Sequence, residues 1–405
     1  MTQPFPHGGA GRSRSNPPRP TSTAPTARKA ARRRGATQLA ERGNRVLVIS
    51  GSVGAGHDGA ANELANRLRG AGLHVDVRDY LQALPPVCRF ILRDGYTMTV
   101  ERVPAIFQWL FTCIERSRLA AALSVAFCKV GNRQVLGWIR DGGFDVVVST
   151  YPLASQSLGA LRARRTIDIP VITYLTDPAP HRTWIHSDVD LHLTCTEQTA
   201  IQGIASYGVP MTVAGPLVPA RFASGLTAHQ RAAKRSLLGL PLAAPVALLV
   251  CGSLGLGDVE SSADEVVAAG MTPLVLCGRN EDLLERMRQR PGVVATGWRD
   301  DVHELMHCVD VLVHNAGGLT FTEALVAGLP AVSYRCIPGH GLANAATIEA
   351  AGLAPWAMTP KELGSALRAQ VARPRLRRDL GDPAEHILAV LAATVPQPAR
   401  RHPAA

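Results

Sequence analysis

The stretch Arg45-Val-Leu-Val-Ile-Ser50-Gly-Ser-Val-Gly54-Ala-Gly56-His57-Asp58 begins with a short apolar run rich in β-branched residues and ends in glycines. Its length and composition predict a strand over Arg45–Ser50 buried on both faces, as in a parallel sheet. The glycines predict a tight turn into a helix reaching about Arg69. Such a loop lets backbone N–H groups approach a ligand, and the helix N-terminus favours negative charge. His57 at that junction is either a general base facing a cleft or a surface histidine on a plain βα turn. The spacing does not fit the dinucleotide pattern GxGxxG.

Downstream, a second strand is expected at His74–Val77, then others at Asp145–Ser149, Val171–Leu175, Leu191–Cys195 and Thr212–Ala214. Between them, Pro85–Gly143 reads as helices carrying many aromatic and basic side chains. Phe90, Tyr96, Phe107, Trp109, Phe111 and Phe127 are interleaved with Arg89, Arg93, Arg102, Arg116 and Arg118. That mixture suits a membrane interface, or is ordinary core aromatics with solvated arginines. The pattern then restarts at Pro245–Cys251 with another glycine loop, followed by strands at Pro273–Leu276, Val293–Thr296, Asp310–Val313 and Ala331–Ser333. The fold class expected is therefore α/β, with two Rossmann-like domains facing across a cleft. The division predicted is a disordered basic tail over 1–43, an N-terminal domain over 44–218, a C-terminal domain over 219–385 and a tail over 386–405. The linker is expected at Gly215–Leu226.

The 405 residues suit two domains, and 46% hydrophobic with 19% charged residues is globular composition. Residues 1–43 hold nine Arg and Lys against Glu41 alone, most of the formal charge of +11. A solvated, disordered extension is the plain reading of so Pro-, Ser- and Ala-rich a segment; contact with an anionic surface is the functional one. The eight cysteines are scattered without a CxxC pair, which predicts reduced thiols in a cytoplasm. No signal peptide is apparent, and no apolar run approaches the ~20 residues that span a bilayer. The expectation is a cytoplasmic protein, peripheral to the inner membrane face if it meets a membrane at all.

Four more stretches sit at expected strand ends. In Thr176-Asp177-Pro-Ala-Pro-His181-Arg182-Thr183-Trp184, Asp177 and His181 either position a base or cap a turn. In Gly252-Ser253-Leu-Gly255-Leu-Gly257, loop amides and the Ser253 hydroxyl are candidates for a phosphate. Arg279, after the next strand, is a candidate for a pyrophosphate or a solvated arginine. In His314-Asn315-Ala-Gly317-Gly318-Leu319-Thr320-Phe-Thr322-Glu323, Glu323 is expected in a helix's first turn. There it either complements the helix dipole or accepts ribose hydroxyls, while the amides of Gly318, Leu319 and Thr320 face a phosphate. Lastly, His340 and Asn344 in Pro338-Gly339-His340-Gly-Leu-Ala-Asn344 share one helix face.

Together, Gly54-Ala-Gly-His57, Thr176-Asp-(x)3-His181-(x)2-Trp184 and Gly317-Gly-Leu-Thr-(x)2-Glu323 with Gly328-Leu-Pro330 resemble a known group. They are similar to the monogalactosyldiacylglycerol synthase and processive diacylglycerol glucosyltransferase family (glycosyltransferase family 28), across roughly residues 45–355. The resemblance implies a GT-B fold with the acceptor in the N-terminal domain and a UDP-sugar in the C-terminal one. It implies an inverting transfer of a hexose to a lipid such as diacylglycerol, with His57 the catalytic histidine and Asp177 beside it. Gly54, Gly56, His181 and Trp184 are expected on the acceptor side. Gly252, Ser253, Gly255, Arg279, Gly317, Gly318, Leu319, Thr320, Glu323, His340 and Asn344 are expected around the UDP-sugar, Glu323 on the ribose. No cofactor, bound metal or nucleic-acid partner is implied. One departure concerns the donor sugar: where the family has Pro-Gly-Gln-Glu-Glu-Gly-Asn, His340 replaces the glutamine and the acidic positions are lost. The rival readings are a UDP-sugar 2-epimerase of the same architecture and a catalytically silent sugar-nucleotide or lipid-binding protein.

Overall fold

The computed structural model describes residues 44–252, 255–376 and 380–394. Val46 and Val48 are fully buried in one apolar layer, Leu47 and Ile49 in another. This double burial is why β1 (Arg45–Ser50) shows no polar–apolar alternation. It leads through α1 (Ala55–Gly70) to β2 (His74–Asp79). Then come α2 (Pro86–Phe90), a π-helical turn, α3 (Tyr96–Arg102), α4 (Pro104–Arg116), α5 (Arg118–Cys128) and α6 (Asn132–Gly142). The domain continues with β3 (Val146–Ser149), α7 (Pro152–Ala163), β4 (Val171–Tyr174), β5 (Leu191–Thr194), α8 (Glu197–Tyr207) and β6 (Thr212–Val213). The strands form a parallel sheet in the order β2-β1-β3-β4-β5-β6.

The second sheet repeats the design. After α9 (Ala228–Leu237) come β7 (Val246–Val250), α10 (Val259–Ala268), β8 (Thr272–Leu276), α11 (Glu281–Arg288), β9 (Val294–Thr296) and α12 (Val302–Cys308). β10 (Val311–His314), α13 (Gly318–Ala327), β11 (Ala331–Tyr334), α14 (His340–Ala350), β12 (Trp356–Ala357) and α15 (Pro360–Val371) complete it. Its parallel order is β12-β11-β10-β7-β8-β9. Val246, Leu248 and Val250 face one apolar layer, Ala247 and Leu249 the other. β12 was not foreseen, being two residues long.

The expected C-terminal tail needs correction. Its described part lies in a helix, α16 (Pro383–Thr394), whose Ala384, Ile387 and Leu391 join Val46, Leu64 and Tyr174 in the first domain's core. Burying Ile387 and Leu391 stabilises by about 1.5–3 kcal/mol each. The chain thus crosses between domains twice. At the first crossing, Leu217 belongs to the first core and Val218 to the second. At the second, Leu380-Gly381 runs against Ala214-Gly215. A Cβ on Gly215 (φ +93°) would lie 1.8 Å from the Leu380 carbonyl oxygen, so only glycine permits the approach. Arg67 ties both crossings together, donating to the Asp382 carboxylate at 2.9 Å and to the Val218 carbonyl at 2.6 Å. The expected basic tail, 1–43, lies outside the described residues.

Candidate active site

His57 is the third residue of α1, at the carboxyl end of the first sheet. Its Nδ1 lies 2.9 Å from the Thr150 carbonyl and 3.0 Å from Thr176 Oγ1. A carbonyl can only accept, so Nδ1 carries the proton and Nε2 keeps the lone pair. Burial lowers the His57 pKa below its ordinary 6.5, while nearby Asp177 and the Thr150 bond act against the shift. The ring is therefore neutral at physiological pH, with a carboxylate placed to favour a proton once acquired. Tyr151 packs edge-on at 5.1 Å, and Gly51 is required beneath it, since a Cβ there would fall 2.4 Å from the Tyr151 ring.

Asp177 is the hub of the cleft. Its Oδ2 accepts from Trp184 Nε1 at 2.9 Å and from His181 Nε2 at 3.4 Å. Its Oδ1 accepts from Asn344 Nδ2, in the other domain, at 2.9 Å. Burial opposes the Asp177 charge, but the His181 hydrogen bond and the nearby His340 and His57 hold the carboxyl far below the usual range. An ionised carboxylate so fully bonded orients and stabilises rather than abstracting a proton. His181 Nδ1 meets Thr183 Oγ1 at 2.7 Å, so both ring nitrogens are engaged and the ring is held in place. Trp184 is fully buried and His181 nearly so, forming the wall behind Asp177. Gly54 lies open, with room for a Cβ, and Gly56 faces Leu319 across the cleft.

The second domain closes against this wall through α13. A Cβ on Gly318 would come within 2.2 Å of the Thr176 carbonyl, and Leu319 seats over Gly59 and Gly56 of α1. Gly317 caps the helix, so Gly318, Leu319 and Thr320 form its first turn, where amides lack intrahelical acceptors. Glu323 was expected in that first turn; it lies in the second, because the helix already begins at Gly318. The dipole reading loses its basis there. Burial pushes the Glu323 carboxyl up to about 8, with Arg221 acting against the shift.

Asn344 is fully buried and brackets the domains. Its amide donates to Asp177 and to the Ala316 carbonyl at 3.1 Å, and its oxygen accepts from Ala179 N at 2.9 Å. Expected around the UDP-sugar, it instead spends its bonds on protein groups of both domains. Gly252 (φ +74°) and Gly255 (φ +63°) shape the loop after β7; Ser253 lies outside the described residues. Arg279 joins a different pair: it is exposed, with its guanidinium 4.6 Å over the Trp298 ring. Trp298, half-exposed at the end of β9, was missed by the sequence reading. The signal available was a tryptophan directly after a strand.

A family model described as monogalactosyldiacylglycerol (MGDG) synthase matches residues 57–214, from His57 to the end of the first sheet. A processive diacylglycerol beta-glucosyltransferase of Bacillus cereus is 24% identical over 331 residues, covering 76% of this chain and 81% of that protein. The enzyme of the same name from Bacillus subtilis is 22% identical over 320 residues, covering 76% and 82%.

The chain is similar to the monogalactosyldiacylglycerol synthase family over the part of it that the model matches.

Solved structures agree on the fold. MurG of Acinetobacter baumannii superposes with a TM-score of 0.53 at 17% identity, covering 87% of this chain and 100% of that one. Os79 of O. sativa, in complex with U2F and a trichothecene, gives 0.54 at 13% identity, covering 86% and 99%. The architecture is GT-B and the protein is a glycosyltransferase. Helices α2–α5 present a wide apolar surface. Eleven of the twenty exposed large apolar side chains among the described residues fall between Val87 and Val130. No helix among the described residues is long and apolar enough to cross a membrane.

Proposed function

We propose that this glycosyltransferase moves a hexose from a UDP-sugar to a diacylglycerol-type lipid, with inversion, at the inner face of the cytoplasmic membrane. The observation that carries the reading is His57: its Nδ1 is locked to the Thr150 carbonyl, which leaves Nε2 as the basic nitrogen. The acceptor hydroxyl gives its proton to Nε2 while its oxygen attacks the anomeric carbon. The bond from that carbon to the diphosphate breaks, and UDP leaves with the electron pair. Asp177 then faces an imidazolium, which it stabilises. The leaving charge falls to the first-turn amides of α13, to Ser253 and to Arg279, while Glu323 accepts the ribose hydroxyls. His340, at the first residue of α14, reads the sugar. No metal ion is required. The apolar surface between Val87 and Val130, bordered by Arg89, Arg93, Arg116 and Arg118, rests on an anionic bilayer.

The test is UDP release from a panel of UDP-glucose, UDP-galactose and UDP-N-acetylglucosamine, with and without diacylglycerol vesicles and with EDTA present. Acceptor-dependent, EDTA-resistant release of UDP supports the proposal. Release without acceptor, accompanied by a 2-epimer, would establish the epimerase reading, and binding without turnover the silent one.

A further inference from the structure

We infer that Gln108 is a positioning residue for sugar transfer: from the acceptor domain it fixes the backbone of the loop that presents His340. Helix α4 has two unlike faces. Ile106, Trp109 and Leu110 point outward and are 55%, 66% and 46% exposed. Phe107, Gln108 and Phe111 point inward, onto the segment between β11 and α14. There, Gln108 Oε1 accepts a hydrogen bond of 2.6 Å from the Gly339 amide. The other end of the same side chain is held, donating to Thr112 Oγ1 at 3.2 Å, so the oxygen is aimed and does not rotate away.

Gly339 needs this support. Its backbone (φ +70°, ψ −118°) is open to glycine and poor for other residues. A Cβ there would meet Phe107 at 2.7 Å and Phe111 at 3.2 Å, so the loop rests flat on α4. His340 follows directly, its ring 6.3 Å from Tyr96 and 6.1 Å from Phe107. Gly339 is the N-cap of α14 and offers no side chain to cap the helix. The bond that fixes its own amide therefore comes from the opposite domain and exists only when the domains are closed.

This inference rests on the reading of His340 as a sugar contact, and the experiment separates the two. In the full chain with UDP bound, amide exchange is followed at Gly339, and the donor KM, kcat and UDP affinity are measured for Gln108→Leu, Gln108→Asn and Gln108→Glu. Loss of one hydrogen bond corresponds to about a 2- to 13-fold change. Gln108→Leu should speed exchange at Gly339 and raise donor KM or lower kcat by that factor, with UDP affinity within twofold of wild type. Gln108→Glu, which keeps the oxygen at the same reach, should restore the wild-type values; Gln108→Asn, one methylene shorter, should not. Unchanged exchange at Gly339 in Gln108→Leu overturns the inference, as does an equal loss of UDP affinity, which would mark a general role in closure. If wild type turns over no donor, the functional proposal fails, and the exchange at Gly339 still decides for or against Gln108.

Discussion

The two domains are near-repeats that diverge at one place. In the second sheet, β8 is followed by α11, β9 and α12 before the chain returns to β10, giving the order 3-2-1-4-5-6 within that domain. In the first, no strand follows β2 on that edge; the chain runs through α2–α6 and returns to β3 beside β1. Where the second domain spends those residues on a strand, the first spends them on helices with exposed apolar faces. The sheet core is shared physics; under the proposed function, the substituted segment is where the two domains would take on different partners.

The sharpest way to break this division of labour is His57→Ala. A general base contributes about 10²–10⁴-fold, so turnover should fall by that factor while UDP binding, measured by calorimetry, stays within twofold. Because burial lowers the His57 pKa and the working form is neutral, wild-type kcat/KM should decline only as pH falls below 6.5. Near-normal turnover of His57→Ala would remove the base from the acceptor domain.

Next in size is Leu391→Ala. If α16 belongs to the first core, the loss should be about 2–5 kcal/mol in denaturant unfolding, as for other buried leucines. A cost below 0.5 kcal/mol would return this helix to the status of a tail.

In the second domain, Glu323→Ala should weaken UDP by about 1–3 kcal/mol, the worth of two ribose hydrogen bonds to an uncharged carboxyl at about 0.5–1.5 kcal/mol each. Stability gives an independent check. The Glu323 pKa is raised to about 8 from an ordinary 4.5. Between those values the unfolded chain releases a proton that the folded one keeps, so stability drops as pH rises. Glu323→Gln abolishes that loss, and its Tm advantage over wild type should grow from pH 5 to pH 8. A pH-independent Tm difference would show that the carboxyl is not desolvated.

The smallest expected effect tests the helical segment. Trp109→Asp should weaken partition onto anionic vesicles by about 1.5–3 kcal/mol at most and leave Tm unchanged, since Trp109 is two-thirds exposed. Unaltered vesicle binding would leave the apolar face without a lipid role.

The strands were legible because a strand buried on both faces writes itself as an apolar run closed by glycine, as Arg45–Ser50 and Pro245–Cys251 do. The site loops were legible for the same reason: they follow those runs. What escaped was contact between distant residues. Nothing near Asn344 announces Asp177, 167 positions away. Nothing near Gln108 announces Gly339. Glu323 was expected a turn early because paired glycines look like a turn preceding the helix, whereas Gly318 sits inside the helix for its close approach to Thr176. Likewise, α16 reads as a short apolar stretch until its partners on β1 and α1 are known.

That last helix has a consequence for how the protein is made. Its contacts with Val46 and Leu64 join residues more than 300 positions apart, so the ribosome finishes the second sheet before it supplies this piece of the first domain's core. The domain begun first is completed last. During synthesis the groove that receives Ile387 and Leu391 stands uncovered beside α1, and the nascent chain carries a hydrophobic opening until α16 emerges.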